Sequence, residues 1–368
     1  MSKAYPVTAI RASAVVISTI IGVGVLSFPT YAARAADSGA PLMTLAAIGT
    51  ALVCLCLLSM LARRFPQENI VQFSERLIGK WPARTMSALL ILFFAMTVGI
   101  STRQFGEVVA AILLEKTPID ITMIVLLSLV TVSSRRGIIK FSYIHSFYLP
   151  FILLVSIVLF FTSLKDWEFV NLFPLIGNRP TGYADGVLSI TCFYQFAFIL
   201  TLLVPFMNHP ARILSATFWG VVISGVIFMM IITSTIAMFG AEETKLLIYP
   251  TLETVRTESI SGGLLERMDG IFIIVWVVSV YTTLYSNYYF SVYAAKDLFR
   301  IKDHRMLATF LFPYVFCVAV LPHDLVQLYD FALKLYKYGL ILTAGYPCML
   351  LAIAVIRKIR GKTNVATG

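Results

Sequence analysis

The sequence contains few charged residues: Asp, Glu, Lys and Arg make up 13% of its 368 residues, whereas 59% are hydrophobic. Soluble domains carry about 25% charged residues, so this composition, with a mean hydropathy of +0.86, excludes an ordinary soluble domain. The sequence also lacks the short alternating segments of a β-barrel. It repeats instead apolar runs of the roughly 20 residues that cross a bilayer as a helix. It therefore predicts an all-α polytopic membrane protein.

Residues typical of metal and nucleophilic chemistry are also scarce. The five cysteines are odd in number, form no C-x-x-C motif and lie in or beside apolar runs. This pattern indicates small core residues rather than disulfides or a metal site. The four histidines are scattered near the ends of the apolar runs and form no H-E-x-x-H motif, which argues against an enzyme.

Acidic residues are outnumbered 19 to 29 by basic residues, and the two are unevenly distributed between ten predicted spans. With a cytoplasmic N-terminus, the cytoplasmic segments hold 19 of the 29 basic residues but 4 of the 19 acidic ones, so the positive-inside rule predicts that both termini are cytoplasmic. The net charge of +10 then reflects topology, not nucleic-acid binding. The first apolar run is long, and we expect a retained span rather than a signal peptide. The predicted spans are residues 8–35, 41–62, 84–113, 119–134, 142–163, 184–208, 211–240, 269–295, 305–321 and 335–357.

The ten spans divide into two groups of five, with no low-complexity linker between them. The chain is therefore predicted to be a single transmembrane domain over residues 1–368, with repeats at about 8–163 and 184–358. Because each half has an odd number of spans, the halves must face opposite ways across the membrane. Many transporter folds are built from such an inverted repeat.

The first span contains helix-breaking residues in the stretch IIGVGVLSFP. Gly22, Gly24 and Pro29 weaken the helix over one turn, which a membrane tolerates only where the backbone lines a cavity or is buried in protein. We expect two half-helices at about 8–21 and 26–35, with free carbonyls ending the first and free amides beginning the second. Such a pair suits a zwitterionic ligand. The alternative is a close-packing motif, in which the small residues let two helices approach.

Three other spans carry polar residues in apolar surroundings. Arg103 and Glu107 lie four residues apart on one face of span 3, which predicts either a gate or a structural ion pair. Gln195 interrupts span 6, which has no glycine there, so a second break is less evident than the first. Residues 281–287 of span 8 carry hydroxyls that can line a polar core, hold a cation or hydrogen-bond to their own helix.

Two connecting segments have features of their own. Residues 68–80 are amphipathic and predict an interfacial helix on the cytoplasmic side. Residues 241–267 form a long acidic outer loop, with an expected helix after Pro250 and a turn at Gly262-Gly263. A loop of this length is either a lid or a solvated connector.

A set of short motifs, in a fixed order along the chain, resembles a known family. They are G-x-G-x-L-S-F-P in span 1, S-T-R-x-x-G-E in span 3, LLEKTP after it, IYPTLE in the outer loop, and E-R-M-D before span 8. Together they resemble the spore germination permease family, the B subunits of germinant receptors in endospore-forming bacteria. The family belongs to the amino acid–polyamine–organocation superfamily. The resemblance implies a leucine-transporter-like fold, with ten transmembrane helices in a five-plus-five inverted repeat and broken helices 1 and 6.

The resemblance also implies a function and a site. The function would be to sense a small amino acid such as L-alanine in the spore inner membrane, with a membrane A subunit and a lipoprotein C subunit as partners. No cofactor is implied beyond a possible sodium ion near Thr282 and Thr283. Unlike some proton-coupled relatives, the middle of span 5, residues 151–159, has no lysine. The implied ligand-binding residues are Gly22, Val23, Gly24, Thr97, Phe193, Gln195, Phe196, Thr282 and Thr283.

Four functions compete at this level. The germinant-sensing subunit is favoured, and a cation-coupled amino-acid permease that uses the same pocket is the alternative. The sequence does not separate these two, because the pocket would look alike in both. An ion channel lacks an evident glycine-rich filter or ring of charge, and a membrane enzyme lacks a catalytic motif.

Overall fold

The computed structural model describes residues 7–114, 116–177, 182–260 and 268–361, and these residues are almost entirely helical. Within them, the one β feature is an isolated bridge between Val7 and Met207. The α-helices are α1 (Ala9–Ile20), α2 (Phe28–Ala36), α3 (Ala40–Arg64), α4 (Ile70–Ile78), α5 (Lys80–Ile112), α6 (Ile119–Ser134), α7 (Ile138–Ser163), α8 (Tyr183–Tyr194), α9 (Leu200–Leu203), α10 (Ile213–Leu246), α11 (Pro250–Ile260), α12 (Met268–Phe299), α13 (His304–Val320), α14 (Leu325–Leu340) and α15 (Tyr346–Ile356).

The helices have the length and composition of membrane spans. In the described part of the chain, seven helical segments are long and apolar enough to cross a membrane, and α1, α6 and α13 are shorter apolar helices. Many large apolar side chains on their outer faces are exposed, which a bilayer would cover. The prediction of an all-α integral membrane protein is therefore confirmed.

The predicted break in span 1 is present. Helix α1 ends at Ile20, a single 3-10 turn covers Val23–Val25, and α2 begins at Phe28. Gly22 leaves the helical region, with φ −146° and ψ −136°, and Pro29 lies in the first turn of α2, where its missing N–H costs nothing. The two half-helices expected from the glycines and the proline are thus observed.

Span 6 changes its helical pitch instead of unwinding. Helix α8 ends at Tyr194, a 3-10 segment runs over Gln195–Ile199, and the short α9 follows. Gln195 keeps helical angles, with φ −63° and ψ −21°, so the backbone stays in the helical region through this segment. The break expected in helix 6 is therefore a tightened turn.

The connecting segments largely follow the sequence, with one correction. The interfacial helix is α4, and the helix after Pro250 is α11; the Gly262-Gly263 turn lies outside the described residues. Helix α14 begins at Leu325, ten residues before the predicted start of span 10 at 335. The start was predicted too late because the first turns of α14 carry charged residues, which interrupt the apolar run. Two of them, Asp330 and Lys334, form an exposed ion pair at 2.7 Å.

Helix α12 forms the centre of the molecule. Every residue from 279 to 292 is buried, as α1, α5, α6, α7 and α13 surround it. The N-terminal end of span 1 and the C-terminal end of span 6 are joined by two hydrogen bonds. The Val7 N–H donates to the Phe206 carbonyl at 3.0 Å, and the Asn208 N–H donates to the Val7 carbonyl at 3.1 Å. This arrangement brings the break in span 1 against α12 and the 3-10 segment of span 6.

Candidate functional site

A small cavity lies where the break in span 1 meets α5, α8, α12 and α14. Its volume is about 20 Å³, which is room for about one water molecule. The cavity is therefore closed to a larger ligand in this conformation. Six predicted ligand-binding residues line it: Gly22, Val23, Gly24, Phe193, Phe196 and Thr283.

The backbone of the break has unpaired polar groups, and four of its residues line the cavity: Ile20, Gly22, Val23 and Gly24. Within the described residues, the amides of Gly22, Val23 and Gly24 donate to no backbone carbonyl, and the carbonyls of Ile20 and Ile21 accept from no backbone amide. Unpaired amides at the start of one half-helix favour an anion, and unpaired carbonyls at the end of another favour a cation. This is the arrangement that a carboxylate and an ammonium group on one small molecule require.

The two glycines are also positions of close approach. A Cβ on Gly22 would overlap the hydroxyl of Thr283 in α12, and a Cβ on Gly24 would overlap the ring of Phe193 in α8. The two glycines therefore allow close helix packing, and they also line the cavity. The close-packing interpretation of the glycine pair is thus confirmed, and ligand binding at the same positions stays a prediction.

Polar and aromatic residues that the sequence did not single out complete the cavity. Ser101 and Gln104 of α5 line it, and so does Tyr336 of α14. A hydrogen bond of 3.1 Å joins Ser101 Oγ to the Tyr336 hydroxyl, and the Tyr336 ring lies edge-on to Phe196 with centroids 5.4 Å apart. Tyr336 thus closes the cavity on the side of α14. Tyr336 lies inside the predicted span 10, but its residue spacing did not indicate contact with span 1. Ser101 could have been found, because it lies one turn beyond Thr97 on the same helix face.

Three predicted ligand-binding residues do not line the cavity. Thr97 is fully buried, and its hydroxyl has no hydrogen-bond partner within the described residues. The Gln195 amide donates to the Tyr336 carbonyl at 3.1 Å and accepts from the Thr343 hydroxyl at 3.1 Å, so Gln195 positions Tyr336 from behind. Thr282 faces α1.

The hydroxyls of span 8 bind the last carbonyls of α1. Thr282 Oγ1 donates to the Ser18 carbonyl at 2.9 Å, and Thr283 Oγ1 donates to the Thr19 carbonyl at 2.9 Å. These carbonyls would otherwise be unpaired, because α1 ends just beyond them. The predicted polar core of span 8 is thus a junction between α12 and the first half-helix.

A buried histidine extends this junction to α7. His145 is completely buried, with Nδ1 at 2.6 Å from Ser18 Oγ and Nε2 at 3.3 Å from Ser286 Oγ. The Ser286 hydroxyl in turn lies 2.6 Å from Thr19 Oγ1. Each neighbour is a hydroxyl that can donate or accept, so both ring nitrogens are satisfied. This role could not be predicted from residue spacing, since His145 lies near the predicted inner end of span 5.

Arg103 and Glu107 form the predicted pair outside the cavity. Arg103 Nε lies 2.8 Å from Glu107 Oε1, and each side chain is 15% exposed. Tyr249, just before α11, lies close enough to the pair to feel the charge of Glu107. Burial raises the pKa of Tyr249, and the charge of Glu107 raises it further. A hydrogen bond to Tyr329 lowers the same pKa. The pair stays a predicted gate or structural ion pair.

The fold is similar to that of solved structures of other proteins. The crystal structure of MhsT in complex with L-phenylalanine is similar with a TM-score of 0.67 at 13% identity, over 95% of this chain and 89% of that one. A family model described as spore germination protein matches residues 6–327. The chain therefore belongs to the spore germination permease family.

Individual members of the family align over nearly the whole chain. Spore germination protein GerLB of Bacillus cereus is 28% identical, over 94% of this chain and 93% of that protein. Spore germination protein YndE of Bacillus subtilis (strain 168) is 21% identical, over 97% of this chain and 98% of that protein. The motifs that carried the resemblance thus belong to a match along the full length of both proteins.

Proposed function

We propose that this protein is the germinant-sensing membrane subunit of a spore germinant receptor. It binds a small amino acid, with L-alanine as the reference ligand, at the break in span 1 and thereby triggers germination. The observation that carries the proposal is the set of unpaired amides and carbonyls around the cavity, from Gly22 to Gly24 on one side and at Ile20 and Ile21 on the other. The amino acid held by MhsT, a protein of the same fold, supports this class of ligand.

Sensing requires the closed cavity to open. A volume of about 20 Å³ admits no amino acid, so the ligand selects a conformation in which Tyr336 has moved away from Ser101. The 3.1 Å bond between these two side chains is then broken and reformed in each cycle. Ligand binding shifts the equilibrium from the closed to the open conformation, and the partner subunits respond to this shift.

The outer loop takes part in the same change, as a lid. The Thr251 hydroxyl of α11 donates to the Val25 carbonyl at 2.8 Å, and the Thr30 hydroxyl of α2 donates to the Leu247 carbonyl at 2.8 Å. Pro29 has no N–H to offer the Val25 carbonyl, so Thr251 replaces the missing helical donor. A movement of α2 therefore requires a movement of the outer loop.

The proposed topology has ten spans in a five-plus-five inverted repeat. Helices α1 and α2 form span 1, α8 and α9 form span 6, and α14 and α15 form span 10. Both termini are cytoplasmic, the protein lies in the spore inner membrane, and a membrane A subunit and a lipoprotein C subunit are its partners. The pairing of the inner ends of spans 1 and 6 at Val7 and Met207 supports this arrangement.

A cation-coupled amino-acid permease is the second candidate. The junction of α1, α7 and α12 favours it, because the end of α1 carries carbonyls and the negative end of the helix dipole. For a sodium ion there, Thr282 and Thr283 would have to turn their oxygens from the carbonyls of Ser18 and Thr19 toward the ion. For a proton, His145 is the titratable group at the junction.

Purified protein in sealed proteoliposomes separates the two candidates. Labelled amino acids are supplied with and without a sodium or pH gradient, and binding and accumulation are scored separately. The sensing subunit shows saturable binding without accumulation. Accumulation driven by a gradient makes the protein a permease, and the absence of both with every amino acid tested contradicts the ligand class.

A further inference from the structure

A wide recess opens at the inner ends of α6, α7, α12 and α13. Its volume is about 700 Å³, far larger than the cavity at the break. Four basic side chains line it, from the end of α6, the connection to α7, the first turn of α7 and the start of α13. They are Arg135, Arg136, Lys140 and Arg305. We call this feature the inner basic recess.

The four cations are not neutralised by ion pairs, although Asp303 lies beside one of them, with its Oδ1 accepting from the Arg305 N–H at 3.0 Å. Within the described residues, none of them forms an ion pair with a carboxylate. Other cations on the same side are paired: Arg84 lies 3.0 Å and Arg300 lies 3.5 Å from Glu75. The positive-inside rule explains on which side the four residues lie. It does not explain their convergence on one recess without acidic partners.

The backbone adds to the positive potential of the inner basic recess. Helix α7 begins at Ile138 after Gly137, and no side chain caps its first amides. Gly137, Ile138 and Ile139 line the recess, so the positive end of the dipole of a 26-residue helix faces it. Uncapped amides and unpaired guanidinium groups together are the donors that a phosphate group accepts from.

Part of the wall of the recess is apolar. Val132 is 56% exposed and Phe206 is 42% exposed, and Tyr293 also lines the recess. A ligand that is both anionic and apolar therefore fits the inner basic recess better than a wholly polar anion. We propose that the inner basic recess binds a phosphate-bearing anion, and that the headgroup of an anionic phospholipid of the inner leaflet supplies it.

The position of the recess gives this binding a consequence. The carbonyl of Phe206, a residue of its wall, accepts the hydrogen bond from Val7 that ties span 1 to span 6. An occupant held by Lys140 and Arg305 bridges α7 and α13 beside this tie. Anionic lipid therefore stabilises the protein in the conformation described here.

The test uses the purified full-length protein in a neutral detergent. Short-chain phosphatidylglycerol, short-chain phosphatidylcholine and inorganic phosphate are titrated separately, and the thermal unfolding midpoint is followed. The recess variant is R135Q/K140Q/R305Q. The control R63Q/K80Q/K358Q loses the same charge from exposed positions on the same side, outside the recess. The single variants K140Q and R305Q serve if the triple recess variant does not fold.

We expect phosphatidylglycerol to raise the midpoint of the wild-type and control proteins. Each basic residue near a membrane surface contributes about a five-fold gain in affinity, so the triple recess variant needs roughly 100-fold more of this lipid. Phosphatidylcholine has little effect. An equal response of the recess and control variants overturns the proposal. If inorganic phosphate acts as well as phosphatidylglycerol, the anion site stands, and free phosphate instead of lipid is its source.

Discussion

The hydroxyl group of Thr283 lies directly against the α-carbon of Gly22, so that the first span has no room for a side chain there. The same hydroxyl donates to the Thr19 carbonyl at 2.9 Å, three residues before the glycine. Thr283 therefore both seals the end of α1 and sets how closely span 1 approaches α12. This contact lies in the wall of the cavity proposed for the ligand.

Replacing Gly22 by Ala is expected to impair the ligand response without reducing membrane insertion. The new methyl group overlaps Thr283, so span 1 must move away from α12 and the unpaired backbone groups shift with it. We expect the germinant concentration for half-maximal response to rise at least about ten-fold, since an ångström-scale displacement of a binding group has costs of this size. Dose–response curves of spores, at matched protein levels, measure it.

Two variants control this experiment. G49A adds the same methyl group to α3, where nothing lies within 4 Å, and should leave the response unchanged. The double variant G22A/T283G restores the missing space and should recover part of the response. A wild-type response of G22A would show that the cavity is not the ligand site.

Removing the hydroxyl of Tyr336 is expected to favour the open conformation. Y336F and S101A each delete the 3.1 Å bond between α14 and α5, which is worth about 1 kcal/mol, or roughly a five-fold change in an equilibrium constant. Ligand binding should tighten about five-fold in each single variant, and the double variant should gain no more than one of them. Equilibrium binding to purified protein measures it. The control is Y338F, at an exposed position of α14. Additive effects of Y336F and S101A in the double variant would refute a shared bond.

The sequence predicted the break of span 1 well because backbone chemistry is local. Gly22 and Gly24 weaken a helix within one turn and Pro29 withholds a helical donor, and together these local effects predict the end of α1 and the start of α2. The glycine-free centre of span 6 gave a weaker signal, and its outcome, a 3-10 segment, depends on packing. The predicted end of span 7 at 240 coincides with Gly240, whose φ of 72° interrupts α10.

Side-chain contacts between distant helices could not be predicted in the same way. Tyr336 lies within the predicted span 10, at 335–357, but the sequence did not show that this residue faces the break in span 1. The middle of span 5, residues 151–159, has no lysine. However, the junction with α1 is one to two turns nearer the inner end, at His145. Which turn of α7 meets Ser18 is fixed by how the helices cross, and residue spacing carries no information on this.

The role of Thr251 tests whether the outer loop is a lid or a connector. Thr251→Val removes the donor of the Val25 carbonyl while keeping the shape of the side chain, and Pro29 offers no replacement. A buried carbonyl left without a partner costs about 1–3 kcal/mol, so the thermal unfolding midpoint should fall. The ligand response should change as well if the loop acts as a lid.

The control for this variant lies on the same helix. The Thr257 hydroxyl donates to the Glu253 carbonyl at 3.0 Å within α11 and is exposed, so T257V should leave both readouts close to wild type. A lower midpoint with an unaltered dose response would assign the loop to a structural connector. An unaltered midpoint would mean that the bond to Val25 contributes nothing.

The hydrogen bonds of His145 are expected to hold the first half-helix in place. His145→Phe keeps the ring contact with Phe141, whose centroid lies 4.5 Å away, but deletes the bonds to Ser18 and Ser286. Two lost bonds cost roughly 2 kcal/mol. His145→Gln retains an amide that can replace one of them, so its loss should be about half as large. Thermal unfolding in detergent should rank H145F below H145Q, and H145Q below wild type.

H323F, at an exposed histidine, should match the wild type. Equal stability of H145F and the wild type would mean that the three-helix junction does not depend on the histidine, because the hydroxyls of Ser18 and Ser286 would then have found other partners.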